Sequence, residues 1–195
     1  MANYCWNNML ISQIKPEDIE CIQTWIKTYD NFSYLKDWVH SLITEENRLD
    51  VEADVFKLPY GGRWFDINDV DEDENYMHIS GDSAWSPMIG LAQAISKEFQ
   101  CDVSIDYEES GCDFGGQSVF ENGELTQEYQ GTYWMYNYDF CGEGIDFLIS
   151  ELACHDSTEK GWIEFLQRIS SEGITLSDKE MTELRESMNI ETSTI

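Results

Sequence analysis

Carboxylates are the residues of this sequence with the greatest capacity for chemistry, and they are most concentrated between positions 66 and 74. This stretch, DINDVDEDE, contains six acidic side chains. Asp69, Asp71 and Asp73 have the spacing of the first three ligands of an EF-hand calcium loop. Position 6 of such a loop should be Gly and is Glu74, and position 12 should be Glu and is Ser80. The sharp turn and the bidentate ligand are both missing, so we predict no specific metal site.

Residues that could act as nucleophiles or general bases are scattered through the sequence. His40, His78 and His155 lie far apart, without the His/Cys spacing of a zinc site. His155 follows Cys154, but adjacent residues of a helix point about 100° apart and do not naturally pair. The sequence contains no GxSxG, P-loop or GxGxxG motif. We therefore predict that the protein is not an enzyme and needs no cofactor.

The net charge is the strongest single feature of the chain. Its 195 residues include 39 acids and 11 bases, which gives a net charge of −28. From Trp64 to Glu159 the only basic residue is Lys97, and the same window holds 22 acids. Such a surface repels the phosphates of nucleic acids and of anionic membranes, and it attracts basic proteins. Direct binding to nucleic acid or to a membrane is therefore disfavoured.

The ends of the chain and its cysteines favour a soluble cytoplasmic protein. The opening MANYCWNNML has no basic region, and no apolar run approaches the roughly 18 residues of a membrane span. The six cysteines include no CxxC pair. Without signs of secretion, buried thiols are a better interpretation than disulfides.

The order of predicted elements indicates an α+β fold. We predict a strand at Tyr4–Ser12, helices from Lys15 and over Ser33–Ile43, and strands at Arg63–Asn68 and Tyr76–Gly81. A helix capped by Ser86 then runs to about Phe99, and it is followed by a strand at Cys101–Glu109, a hairpin over Gln117–Glu128 and an aromatic strand at Thr132–Tyr138. The last predicted elements are helices over Gly144–Ala153, Thr158–Ser170 and Asp178–Met188. The centre of this order is βαββαβ, the ferredoxin-like arrangement of an antiparallel sheet with helices on one face. An added β-hairpin and a C-terminal helical extension complete it. We therefore predict a ferredoxin-like domain over residues 1–139 and a helical extension over residues 140–195, packed on or beside it. A homodimer formed through the tail is the alternative.

Four motifs, in this order, carry a family resemblance: MANYCWNN, YGGRWFDINDV, SGDSAWSPM and YEESGCDFGG. They resemble the YubB ferredoxin-like domain family, which is found mainly in plasmids and phages. The resemblance covers residues 1 to about 123 and departs from the family pattern at Tyr60–Arg63 and at Met88. It implies a ferredoxin-like core, a mobile-element setting and the cytoplasm of a bacterial host cell. It supplies no catalytic residues.

The excess of charge suggests two functions of different classes. A domain of this size needs only a single-digit net charge for solubility, so we predict a nucleic-acid (DNA) mimic that inhibits a host defence nuclease of the restriction or CRISPR type by occupying its basic site. The alternative is a non-catalytic scaffold that binds a protein through its aromatic or helical surfaces, with charge serving solubility. On the mimic hypothesis the partner-binding residues are Asp66, Asp69, Asp71, Glu72, Asp73, Glu74, Asp102, Asp106, Glu108, Glu109, Asp113, Glu121, Glu124 and Glu128.

Overall fold

The computed structural model describes residues 4–28, 65–155 and 158–187, and the chain divides into two compact units. The first unit spans Met1–Gln130 and the second Gly131–Ile195. The boundary falls before the predicted one at residues 139 and 140, because the segment that precedes residue 140 is helical and packs in the core of the second unit. The predicted helix Ser33–Ile43 lies outside the described residues.

Strands and helices of the first unit follow the predicted order. The strands are β1 (Tyr4–Ser12), β2 (Phe65–Asp73), β3 (Tyr76–Ala84), β4 (Asp102–Glu109), β5 (Phe114–Glu121) and β6 (Glu124–Gly131), and the helices are α1 (Pro16–Thr28) and α2 (Ile89–Phe99). The six strands form one sheet in the order β2-β3-β1-β4-β5-β6. The first four have the βαββαβ connection and β1 lies antiparallel between β3 and β4. The predicted ferredoxin-like α+β fold is confirmed, and the β5–β6 hairpin extends the sheet beyond β4.

One face of this sheet is buried under α1 and α2. Alternate residues of β1, including Met9 and Ile11, are fully buried and pack with Ile22 of α1 and with Leu91 and Ile95 of α2. Burying each such aliphatic side chain contributes about 1.5–3 kcal/mol to folding. Since successive strand residues point to opposite faces, the intervening residues of β1 lie on the face away from the helices, which we call the outer face.

The acid-rich stretch is a strand and not a turn. β2 continues to Asp73 and β3 begins at Tyr76, so only Glu74 and Asn75 connect them. The sequence predicted that the strand would end at Asn68, because Asp and Asn are depleted in strands. Pairing with β3 through to the end of β2 overrides this preference. The predicted end of this strand at Asn68 is therefore wrong.

Helix α2 is capped by a side chain from β1 rather than by Ser86. The backbone N–H of Met88 donates to Oδ1 of Asn7 at 2.8 Å, and the Asn7 amide donates to the Cys5 carbonyl and to Oγ of Ser83, also at 2.8 Å each. Ser83 in turn donates to the carbonyl of Ser86 at 2.6 Å. The predicted Ser86 cap is thus wrong, since a buried tertiary cap replaces the local one and α2 begins at Ile89. The motifs NYCWNN and GDSAWSPM meet here, so part of their role is structural.

The second unit is helical. It consists of a short turn of helix at Tyr133–Met135, a π-helix at Tyr136–Phe140, and the helices α3 (Ile145–Ala153), α4 (Glu159–Ser171) and α5 (Asp178–Ser187). The predicted strand Thr132–Tyr138 is wrong. The Thr132 hydroxyl caps a helix there, and the Trp134 ring packs edge-on against Phe147 with centroids 5.5 Å apart. Burial of the aromatic side chains overrides their strand preference.

The apolar stripes of the tail face a core within the second unit. Leu148, Phe165 and Leu184, one from each helix, have no exposed surface. The sequence Ser177-Asp-Lys-Glu180 has the pattern of a capping box, and the box is present at the start of α5. Ser177 and Glu180 exchange hydrogen bonds between side chain and backbone N–H in both directions. All three tail helices match their predicted positions closely.

Candidate functional site

The strand register arranges the outer face as a regular grid. Residues paired directly across antiparallel strands point to the same face. Each row contains one residue from β2, β3, β1, β4 and β5, in that order across the sheet. The four rows are Asp66, Asp82, Trp6, Glu108 and Gly115; Asp69, Ser80, Asn8, Asp106 and Gln117; Asp71, His78, Leu10, Ser104 and Val119; and Asp73, Tyr76, Ser12, Asp102 and Glu121. Every row therefore contains an Asp from β2, and three of the four contain an acid from β4.

A β-bulge in β2 brings its acidic side chains onto one face. The register shifts between Ile67 and Asp69, so that Asp66 pairs with Asp82 while Asp69 pairs with Ser80. Without the extra residue of the bulge, the side chains of Asp66 and Asp69 would point to opposite faces of the sheet, because successive strand residues alternate. The bulge residue, Asn68, donates from its amide to the Asp82 carboxylate at 2.9 Å.

We call the carboxylates of this grid the acidic face. Its members are Asp66, Asp69, Asp71, Asp73, Asp82, Asp102, Asp106, Glu108 and Glu121. None of the six described strands contains Lys or Arg. Amides contact several of these carboxylates: Gln117 donates to Asp106 at 2.8 Å, and Gln13 donates to Asp102. Amide donors orient a carboxylate without cancelling its charge, so the face remains anionic.

The electrostatic effect of this arrangement is evident at Tyr76. The pKa of its phenol is raised, first by the negative charge of Asp71 and then by partial desolvation, with Asp73 adding to the effect. A second anion on this part of the sheet is therefore disfavoured. Positively charged groups would experience the opposite effect.

An apolar strip runs along β1 between the acidic columns of β2 and β4. Trp6 is 38% exposed and Leu10 is 45% exposed, although both belong to a central strand. Tyr4 precedes them on the same face and is 64% exposed. The sequence analysis missed this strip, but the alternation of β1 contains the signal, since Met9 and Ile11 occupy the opposite face. Large exposed side chains in the middle of a sheet are suited to contact another molecule.

The predicted acidic residues separate into two groups. Eight of them lie on the grid: Asp66, Asp69, Asp71 and Asp73 of β2, Asp102, Asp106 and Glu108 of β4, and Glu121 of β5. Asp82 is also on the grid and was missed, because it lies between glycine and serine rather than in an acidic run. Asp69, Asp71 and Asp73 follow one strand face instead of converging around a calcium loop.

Other predicted residues lie outside the acidic face. Glu72 pairs with the buried Met77 and contacts Gln23 of α1, so it points to the helical side. Glu109 is only 5% exposed, and its carboxylate accepts hydrogen bonds from the backbone of the turn that follows β4. Its assignment to the exposed surface is therefore wrong, because the even and odd positions of β4 face opposite ways.

The remaining predicted residues lie in turns or in β6. Glu74 belongs to the β2–β3 turn, and Asp113 adopts a left-handed backbone with φ of 57° just before β5. Glu124 and Glu128 are exposed on β6. Across the predicted hairpin, Asn122 and Gly123 both have positive φ, as a tight two-residue turn requires.

Among the described residues, the histidines and cysteines do not form a shared metal site. His78 is partly buried on the outer face and hydrogen-bonds to Asn8, as expected for a strand histidine. Burial raises the pKa of the Cys5 and Cys101 thiols to about 12. Cys112, Cys141 and Cys154 are exposed, so the expectation that the cysteines are buried is wrong for these three. Within residues 4–28, 65–155 and 158–187, no helix has the length and apolar character needed to cross a membrane.

The family model that matches this chain describes a ferredoxin-like domain. Residues 60–142 match the family model described as a ferredoxin-like domain in Api92-like protein. The protein YubB of Escherichia coli (strain K12) is 27% identical over 97 residues, which cover 40% of this chain and 67% of that protein. The crystal structure of api92 from Yersinia pseudotuberculosis aligns at 11% identity with a TM-score of 0.45, covering 68% of this chain and 98% of that one. The resemblance predicted from the sequence motifs is confirmed.

Proposed function

We propose that this chain, which matches the model of a ferredoxin-like domain in Api92-like protein over residues 60–142, uses the acidic face to imitate the phosphate surface of a nucleic acid. On this proposal the face occupies the basic nucleic-acid-binding site of another protein. One observation carries the proposal: nine carboxylates share one face of a sheet whose six described strands contain no Lys or Arg. A protein that needed only solubility would intersperse both signs of charge.

The spacing of the charges supports mimicry. The columns of β2 and β4 are separated by three strand spacings, or about 14 Å, which is comparable to the roughly 12 Å width of the DNA major groove between its phosphate rows. Along β2, one carboxylate follows another about every two residues, about 6.6 Å. Along β4 the same spacing is interrupted at Ser104, which separates Asp102 from Asp106. Each strand of duplex DNA has a phosphate about every 3.4 Å along the axis. The β2 column therefore has about half the linear charge density of a DNA strand, and the β4 column has less.

Trp6 and Leu10 add apolar contacts to the electrostatic attraction of the acidic face. Charges on the rim of an interface mainly raise the association rate, whereas buried aromatic and aliphatic anchors hold the complex together. Both side chains lie between the two acidic columns. A basic groove that closes over the face would bury them at the centre of the contact.

The target that fits the charge is a protein with a deep cationic groove for nucleic acid. The sequence resemblance to a family of plasmids and phages makes a host defence nuclease the specific form of this proposal. Restriction enzymes and CRISPR effectors must both expose a cationic channel to bind their substrates. Blocking that channel requires no catalysis by the inhibitor.

A protein-binding scaffold is the second candidate, and the exposed apolar strip of β1 favours it. In that case Trp6 and Leu10 would supply most of the affinity, and the carboxylates would act on solubility. The two candidates differ in salt dependence, since exposed charges are screened over about 10 Å at 0.1 M salt and about 3 Å at 1 M. Apolar burial is not weakened in this way.

An inhibition assay tests the proposal directly. Cleavage of plasmid DNA by a purified restriction endonuclease and by an RNA-guided CRISPR nuclease would be measured while the protein is titrated in, at low and high salt. The face variant carries Asp66→Asn, Asp71→Asn, Asp102→Asn and Asp106→Asn. If each exposed ion pair between a carboxylate of the face and a basic residue of the nuclease contributes about 0.5 kcal/mol, the loss of four pairs weakens binding to the nuclease by about 2 kcal/mol. This corresponds to inhibition that is roughly 30-fold weaker.

A matched control removes the same charge from the second unit. The control variant carries Glu143→Gln, Glu164→Gln, Glu183→Gln and Glu186→Gln, all at exposed positions, and we expect it to inhibit like the unmodified protein. Equal losses in the two variants would show that net charge alone matters and would contradict mimicry by this face. Inhibition that persists at high salt but disappears in Trp6→Ser would support the scaffold. Failure to inhibit either nuclease would reject the defence-nuclease form of the proposal.

A further inference from the structure

A cavity of about 270 Å³ lies in the first unit at the end of the sheet where β3 and β4 terminate. Its walls include Trp85, Tyr107 and Phe114, and Glu128 lies among them. Tyr107 and Phe114 approach with ring centroids 6.3 Å apart and planes inclined by 57°. The cavity thus combines three aromatic rings with one carboxylate, and Glu128 is the only charged residue among the described residues that line it.

Trp85 is held at this cavity in an unfavourable backbone conformation. Its φ is +69°, in the left-handed region that bulky residues seldom adopt, and its side chain is 47% exposed. Ser83 and Ser86 flank the tryptophan in sequence, and the Ser83 hydroxyl donates a hydrogen bond to the Ser86 carbonyl. The Asn7 amide in turn donates a hydrogen bond to Ser83. Such strain persists only where the surroundings enforce it, and it is concentrated at ligand-binding sites. Packing of an interior side chain does not account for it, because nearly half of the indole remains accessible.

The electrostatics of the cavity favour a cation. Burial raises the pKa of the Tyr107 phenol, and the charge of Glu128 is the next contribution to that increase. The carboxylate is therefore close enough to act on the tyrosine. Aromatic faces attract cations, and removing water strengthens this attraction. A planar guanidinium can stack on such rings and also donate two parallel hydrogen bonds to a carboxylate.

We propose that this cavity binds the guanidinium group of an arginine side chain presented by a partner. Trp85, Tyr107 and Phe114 form the aromatic walls of the site, and Glu128 neutralises the bound charge. This inference goes beyond the proposed function, because it requires the cavity alone and not the acidic face. Its ligand is one side chain rather than a basic groove.

The test uses arginine amide as the probe and citrulline amide as its analogue, whose side chain is uncharged and has nearly the same shape. Binding to the full chain would be followed by two-dimensional NMR of the tryptophan indole N–H groups. We expect arginine amide to shift the Trp85 resonance in a saturable manner and citrulline amide to leave it unchanged. Equal shifts with both compounds would overturn the proposal. Tighter binding of tetramethylammonium than of arginine amide would also overturn it, because a site for compact cations needs no guanidinium.

Two variants and one control make the result specific. Glu128→Gln removes the carboxylate and should weaken arginine amide binding at least about tenfold, since a charge-assisted hydrogen bond is lost. Trp85→Gly should abolish detectable binding while suiting the left-handed backbone, and its binding would be read from the other resonances of the cavity. Glu124→Gln, on the same strand but outside the cavity lining, should bind like the unmodified protein. If Glu124→Gln and Glu128→Gln weaken binding equally, the probe recognises only bulk charge and the proposal fails.

This outcome is separable from that of the proposed function. The NMR titration involves no nuclease, and the face variant of the inhibition assay leaves all four proposed cavity residues intact. Loss of arginine binding with retained inhibition would reject only the cavity proposal. Retained arginine binding without inhibition would reject only the defence-nuclease form of mimicry.

Discussion

Partial neutralisation of the acidic face should make the protein more stable. Asp66 lies directly opposite Asp82, and Asp102 lies directly opposite Glu121. Like charges in such cross-strand pairs are destabilising. Asn68 and Gln13 already donate to Asp82 and Asp102, so the informative changes are at the opposite member of each pair. The double variant Asp66→Asn with Glu121→Gln removes both repulsions and preserves those hydrogen bonds.

The magnitude follows from the pair geometry. Two unit charges about 5 Å apart in water repel by about 0.8 kcal/mol, and measured cross-strand pair effects are about 0.2–1 kcal/mol each. Removing two repulsions should therefore raise the free energy of unfolding by about 1 kcal/mol. For a protein of this size, that corresponds to an increase in Tm of about 3 °C.

Calorimetry or thermal circular dichroism at low salt and at 1 M salt would test this result. The gain should shrink at 1 M salt, where charges are screened within about 3 Å. Glu164→Gln serves as the control, because it also removes an acidic charge but loses a contact with Lys160 at 3.2 Å, and it should leave Tm unchanged or slightly lower. A lower Tm for the double variant, or an increase in Tm that salt does not reduce, would refute the prediction that like-charge pairs on the acidic face destabilise the fold.

Three further changes test particular contacts. Asn7→Ala removes the acceptor of the Met88 N–H and should lower the free energy of unfolding by about 2–4 kcal/mol, measured by urea denaturation, because buried donors are costly to leave unpaired; a loss below 1 kcal/mol would contradict the cap. Gly116→Ala places a methyl group against the Tyr129 carbonyl and should cost about 1–3 kcal/mol in the same assay, whereas unchanged stability would show that the strands separate freely. Hydrogen bonds from Ser177 lower the pKa of Glu180. The contribution of Glu180 to the free energy of unfolding is therefore complete above its ordinary pKa and is lost as the pH falls through the lower pKa of the folded state. Glu180→Gln should reduce the acid sensitivity of unfolding, and an unchanged pH profile of stability would exclude this contribution.

The sequence was sufficient to predict the fold because periodicity and turn chemistry agree along most of the first unit. Alternation in β4, the Asn122-Gly123 turn and the apolar spacing of α2 each have a local cause. The capping box before α5 was also visible, since its two members are only three residues apart. For these elements, local preference and tertiary packing favour the same structure.

The errors occurred where a distant partner determines the local structure. Asn7 reaches α2 from a strand some eighty residues away in sequence, so no local pattern could reveal that cap. Pairing with β3 holds the aspartates of β2 in an extended conformation despite their low strand preference. The aromatic segment near Trp134 satisfied a strand pattern and is helical because its rings join a helical core. The acidic face depends on a bulge at Asn68, which sequence alternation alone does not predict.

β2 also has a consequence for how copies of this protein meet one another. It is the terminal strand of the described sheet, and an exposed terminal strand is a template on which another chain can add and propagate aggregation. Its aspartates place like charges on any second copy that approaches strand to strand. The acidic run DINDVDED thus opposes strand-to-strand polymerisation of the sheet.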